Sequence, residues 1–241
     1  MLHGWGFNAG VWQAVTERLA GSFQIHVVDL PGHGHSPSPD GNNYSLASVI
    51  DTLLSAVPEN AHWLGWSLGG TLAMAVALQQ PQRVSRLVLV TATPKYVNGN
   101  GWQHGIDKNV FDQFTRQLLD DSEKTIKRFL SLQTMGSPDG RLLAQHLWKT
   151  LAVHPQPQLA ALQGGLEILE QTDLRDQLNN IYQPTLVVHG DRDQLVPAGA
   201  ARFLAANIKN SREKCFTGSG HIPFITHSDE FCQTITDFLY V

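Results

Sequence analysis

Between Ala61 and Gln79 the chain reads AHWLGWSLGGTLAMAVALQ: a strand-length apolar run that passes, through closely spaced glycines and Ser67, into an apolar helix-forming run. Neither half offers a polar face to water, so both must be covered by other elements. This is how a buried parallel strand followed by its crossover helix reads, and it commits the chain to an α/β architecture.

Other segments repeat the rhythm. Candidate strands fall at 24–29, 61–66, 86–91, 185–190 and 213–216. Between them Val11, Val15 and Leu19 share one helical face, residues 72–79 form a helix stopped before Pro81, and 229–239 close the chain as a helix. From about Pro94 to Pro184 the rhythm breaks. No convincing strand occurs there, while 110–119 and 122–132 carry helical periodicity. The expectation is a single domain with a core at 1–94 and 184–241 and a helical lid over about 95–183. At the start, MLHGWG reads as the end of a strand and its following loop, with only Met1 and Leu2 left to make that strand.

At 241 residues and 42% hydrophobic content the chain can bury a substantial core. A formal charge of -4 lacks the basic balance that a phosphate backbone demands, so nucleic acid is not an expected partner. No apolar run approaches the ~18 residues of a membrane span, and the start does not resemble a signal peptide. Cys215 and Cys232 have no metal-ligand spacing and make a poor disulfide framework for a chain of this size, so a cytoplasmic protein is expected. On that reading the sequon Asn43-Tyr44-Ser45 is chance.

Gly65-Trp66-Ser67-Leu68-Gly69 is a G-x-S-x-G set where a strand gives way to a helix. At such a nucleophile elbow the serine takes a strained backbone conformation, and the positions two residues away must be tiny. The helix amino terminus then points at the hydroxyl, and the Leu68 amide can donate to a developing oxyanion. The alternative is a glycine-rich turn whose serine only caps the helix.

A serine nucleophile needs a histidine base, itself oriented by a carboxylate, in the order Ser, Asp, His for this architecture. The strand PTLVVHG runs into DRDQLVP, which puts Asp191 and Asp193 at the carboxyl edge of the sheet. Asp191 directly follows Gly190 and can be explained as a turn residue; Asp193 is the candidate acid, a choice that rests in part on family resemblance. The strand end RLVLVTATP supplies no carboxylate. Of eleven histidines, His221 alone lies in a glycine-rich loop, TGSGHIPF, between the last strand and the last helix. His33 and His35 lack a third ligand at metal spacing and read as a polar loop, and His189 packs at its strand end. The HGWG loop supplies the second oxyanion donor, the Trp5 amide, with His3 and Gly4 shaping the loop.

With Ser67, Asp193, His221, the HGWG loop and DLPGHGHS in place, the chain resembles the α/β-hydrolase superfamily over nearly its whole length. Its fold, a mostly parallel sheet flanked by helices with an inserted helical lid, is therefore expected here. LHGWGFNAGVW, WLGWSLGG, RFLSLQTMG, GGLEIL with TDLR, and HIPFITH narrow the likeness to biotin-pathway esterases that hydrolyse the methyl ester of pimeloyl-acyl-carrier protein. That resemblance implies a serine carboxylesterase, also active on small esters, working as a monomer with no metal or organic cofactor. It places Phe129, Leu130, Ser131, Leu132 and Gln133 along the substrate channel, with Trp5, Leu68 and His221 around the ester. The family carries a strand pair and most of another strand ahead of LHGWG, so the amino-terminal strands are expected to be missing here.

Lys124, Lys127, Arg128, Arg141 and Lys149 face a single acid, Asp139, between positions 124 and 149. Lys124, Lys127 and Arg128 share a helical face opposite Ile126, Phe129 and Leu130. Together with Arg141 they make a candidate docking stripe for an acidic carrier protein, or else an ordinary solvated face. A carbon–carbon bond hydrolase, a lactonase and a non-catalytic ligand-binding protein would share the same residues and differ in the pocket.

Overall fold

The computed structural model describes residues 1–39, 44–137 and 139–240, so Asn43 of the sequon lies outside the described residues. Four parallel strands, β1 (Ala61–Trp66), β2 (Val84–Val90), β3 (Thr185–Gly190) and β4 (Ser211–Phe216), lie side by side in chain order. β1, β2 and β3 bury their carboxyl-terminal halves completely, as expected of a sheet covered on both faces.

Helix α3 (Leu68–Gln79) packs on β1 and β2. Every residue from Leu68 to Ala77 is buried, which is why its sequence has no polar stripe. α8 (Ala198–Asn207) covers β3 and β4. α1 (Gln13–Leu19) packs on α10 (Ser228–Leu239), whose Phe238 lies under Arg86 of β2. α2 (Leu46–Ala56) opens with a Ser45–Ser48 capping box and packs on α3, and the one-turn α9 (Pro223–Thr226) leads into α10.

Between β2 and β3 come α4 (Lys108–Asp120), α5 (Ser122–Gln133), α6 (Gly140–Ala152) and α7 (Leu159–Gln171). Asp107 and Asp121 cap α4 and α5 through their side chains, so each helix start is written locally. The base of this insertion is fastened where Lys95 and Arg175 both pair with Asp173.

The expected strand at 24–29 is not one. Only Val28 forms a bridge, to Leu2, while Leu2 also bridges Gly65 on its other side. The 24–28 segment runs alongside the sheet, but Met1 and Leu2 give it too short a partner for a continuous ladder. His33, read as part of a polar loop, is instead fully buried and stacks obliquely on His3 at 5.2 Å. Among the described residues no helix is long and apolar enough to cross a membrane.

Candidate active site

Ser67 sits at the step from β1 to α3 with φ 54° and ψ -116°, outside the regions a non-glycine residue ordinarily occupies. Such a conformation costs about 1–3 kcal/mol and persists only where the surroundings fix it. Here they do. The Ser67 amide donates to Val90 O at 3.0 Å, and its carbonyl accepts from the Gly70 and Thr71 amides at 2.9 and 3.1 Å. A methyl group on Gly65 would overlap the Gly69 carbonyl, and one on Gly69 would lie 2.6 Å from Leu2 O and 2.7 Å from His3 O. Both glycines are therefore demanded by the closeness of backbone. The Ser67 side chain does not cap α3, so the capping role is not what holds a serine there.

Asp193 and His221 meet at the same rim. His221 Nδ1 lies 2.7 Å from Asp193 Oδ2, with both side chains essentially sealed from solvent. The other carboxylate oxygen accepts from the Leu195 and Val196 amides at 2.8 and 3.0 Å, which fixes its rotation. Asp191 instead accepts from the Gly218 amide at 2.6 Å, closing the turn between the two loops. The structure thus separates two acids that the sequence sets only two residues apart.

The loop bearing His221 is tied to the elbow by groups that sequence reasoning missed. The Trp66 indole donates to His221 O at 2.9 Å, and Thr91 Oγ1 donates to the same carbonyl at 3.0 Å. Thr91 has a positive φ of 43°, while its amide donates to Val188 O at 2.7 Å. The available signal was its place at the end of a strand, in TATP, a stretch searched only for a carboxylate. Tyr96 was missed too. Burial, followed by the nearby Asp193 charge, raises its phenol above the ordinary range and keeps it neutral.

The HGWG loop runs against the elbow: a methyl group on Gly4 would lie 3.3 Å from Ser67 Cβ. Buried His3 bridges the loop, with Nε2 2.9 Å from the Leu30 amide and Nδ1 2.8 Å from Gly4 O. Burial lowers its pKa to about 3, with neighbouring His33 adding to the shift, and burial lowers that of His33 to about 4. Both rings are neutral structural groups at pH 7. The Leu68 amide is the first of α3, where N–H groups have no partner within the helix.

Trp5 is buried, with its indole donating to Leu162 O at 2.8 Å and its ring set edge-on to Phe129 and Phe114. Of the five residues in FLSLQ, Phe129 and Gln133 turn inward, and Gln133 is buried with neither end of its amide partnered. Leu130 is buried as well and, with exposed Ser131, lines a groove of about 600 Å³ between α5 and α6, while Leu132 is half-buried. That groove has no wall from Ser67 or His221. Lys127 and Arg141 also line it, and Lys127 lies over the Trp148 ring while pairing with Glu123. Lys124 is exposed, and Arg128 donates to Gln117 Oε1 at 2.9 Å. His189 is held by Glu213 at 2.8 Å, away from the Asp193–His221 pair.

Comparison with known proteins agrees with this fold. Residues 1–228 match the family model described as alpha/beta hydrolase fold. The chain is 44% identical, over 99% of its own length and 92% of the relative's, to a pimeloyl-[acyl-carrier protein] methyl ester esterase of Vibrio parahaemolyticus. It is 39% identical to the protein of the same name from Yersinia enterocolitica, over 99% of this chain and 91% of that one. Among solved structures, an esterase from Exiguobacterium antarcticum superposes with a TM-score of 0.90 at 26% identity, covering all of this chain and 91% of that one. An enol-lactonase from Burkholderia xenovorans, at 20% identity and a TM-score of 0.85, covers all of this chain and 90% of that one, and shares the fold.

Proposed function

The chain belongs to the α/β-hydrolase family, and from that membership we propose that it is a serine carboxylesterase hydrolysing the methyl ester of pimeloyl-acyl-carrier protein in biotin synthesis. Small esters are further substrates. In this reading His221 removes the Ser67 proton as the hydroxyl attacks the ester carbonyl, and the Trp5 and Leu68 amides receive the oxyanion. Methanol departs with the proton from His221. Water, activated by the same imidazole, then frees the acyl chain as a carboxylate. Asp193, its carboxylate held by two amides, keeps Nδ1 protonated and steadies the imidazolium. Nucleophile, base and oxyanion donors are all groups of the chain, so the cycle calls on no cofactor.

The observation that carries this reading is the Trp66 hydrogen bond to His221 O. It ties the backbone of the Asp193-oriented histidine to the residue next to Ser67, whose strained conformation serves no capping purpose. The buried, unpartnered Gln133 amide supports a polar contact to substrate on the acyl path, since leaving such a group unsatisfied costs about 1–3 kcal/mol. Residues 95–183 would act as the lid, with Phe129 and Trp5 flanking the acyl chain and Lys124, Lys127, Arg128 and Arg141 receiving the acidic carrier. The enzyme is read as a cytoplasmic monomer.

The test is mass-spectrometric assay of methyl pimeloyl-carrier protein beside a short nitrophenyl ester, with wild type and Ser67→Ala. Turnover of both should fall by ~10⁶-fold in the variant, as for the nucleophile of a serine hydrolase. Undiminished release in Ser67→Ala would remove the nucleophile assignment. Wild-type activity on the nitrophenyl ester alone would remove the carrier substrate and keep the esterase.

A further inference from the structure

We propose that His35 and His154 form a binding site for a divalent transition-metal ion that clasps the helical insertion to the core. His35 lies on the loop after the 24–28 segment and His154 on the link from α6 to α7, 119 residues away. Their rings stand nearly perpendicular, and His154 Nδ1 is 3.3 Å from His35 Nε2. Two imidazole nitrogens bound to one tetrahedral zinc at 2.0–2.1 Å are themselves about 3.3 Å apart. The pair already has the spacing such an ion requires, and a turn of the rings out of their hydrogen bond brings both lone pairs onto it.

The site is held without the ion. The His35 amide donates to Asp29 Oδ2 at 2.9 Å, and the His154 amide to Leu151 O at 3.2 Å. Beside them the Gln158 amide reaches Gly32 O at 2.9 Å and Ser38 Oγ reaches Gln158 Oε1 at 2.6 Å, so the two loops are joined independently of the imidazoles. Gly10 leaves space for the ring, since a methyl group there would lie 2.7 Å from His154 Nε2. His35 is exposed and His154 half-exposed, which gives an ion a path from solvent.

Without metal the two nitrogens share one proton in a hydrogen bond. Loading an ion requires that proton to move to the far nitrogen of its own ring, so that both facing nitrogens present lone pairs. Among the described residues no third His, Cys, Asp or Glu joins them, so water completes the coordination and imidazole chemistry sets the preference. Copper and nickel should bind more tightly than cobalt, and magnesium not at all.

The experiment is calorimetric titration of tag-free, chelator-treated protein with Ni²⁺, Zn²⁺ and Mg²⁺, paired with thermal melts, on wild type, His35→Gln and His154→Gln. Wild type should bind one Ni²⁺ or Zn²⁺ per chain and melt about 5 °C higher at saturating metal. Each variant should lose both effects while keeping wild-type ester hydrolysis in the absence of metal. Mg²⁺ should do nothing. No stoichiometric heat in wild type, or equal heat in either variant, would overturn the site; the latter would assign the ion to other histidines.

Discussion

The rim of the sheet around Ser67 and the insertion that follows β2 are built to opposite standards. At the rim, backbone touches backbone: Gly65 and Gly69 have no room for a methyl group, and the paired Asp193 carboxylate and His221 imidazole are sealed from water. In the insertion, seven of the nine large apolar side chains left exposed among the described residues lie between Val110 and Tyr182, with Leu142 at 64% and Val153 at 81% exposure. The contrast follows from what each region handles. In the proposed function the rim orients a proton transfer and an oxyanion, which tolerate little displacement, and its close packing suits that task. In that same function the insertion meets a carrier protein, a task that calls for accessible apolar and basic surface.

The strongest attack on this contrast is one substitution in each region. Gly65→Ala should destabilise the protein by more than ~4 kcal/mol and abolish esterase activity, because no flexible side chain can yield to the added carbon. Val153→Ser should stay within about 0.5 kcal/mol of wild type. Denaturant unfolding of the two variants measures both, and a Gly65→Ala protein as stable as wild type would show the rim to be loose.

A second test uses acid. His33 is neutral in the fold at a pKa of about 4, against about 6.5 when unfolded, so the unfolded chain binds more protons between those values. Stability is full above pH 6.5 and falls as pH drops toward 4, by on the order of 3 kcal/mol from His33 alone. His3, lowered further by the same burial, extends the loss to about pH 3. Melting curves from pH 7 to pH 4 should show this slope, and His33→Gln should flatten it whatever its effect at neutral pH. An unchanged slope would mean that His33 charges without unfolding the protein.

The smallest effect belongs to the insertion. Reversing Lys124 and Arg128 to glutamate should lower kcat/KM for the carrier-bound ester by about tenfold at low salt, less at high salt, and leave the nitrophenyl ester untouched. Equal losses on both esters would make these residues structural.

Much of the rim was legible because its demands are local. The G-x-S-x-G spacing follows from two close backbone approaches around one turn, and the absence of a polar stripe over 68–77 follows from a helix buried on all sides. The strand at 24–29 was misread because a ladder depends on a partner's length, which local composition does not encode. FLSLQ reads as one channel wall, yet the turn of α5 buries Phe129, Leu130 and Gln133 and leaves Ser131 exposed. His33 looked polar in its string of glycines and prolines, but lies under the HGWG loop against His3.

By itself the sequence determined the alternation of strands and helices, the elbow and the order of its three candidate partners, since periodicity and small-residue spacing act over a few neighbouring positions. Only the tertiary structure decided that Trp66 and Thr91 jointly hold the His221 carbonyl, and that Asp191 spends its carboxylate on the Gly218 amide. Those choices depend on distances between segments brought together from far along the chain, and such distances exist only once the sheet has formed.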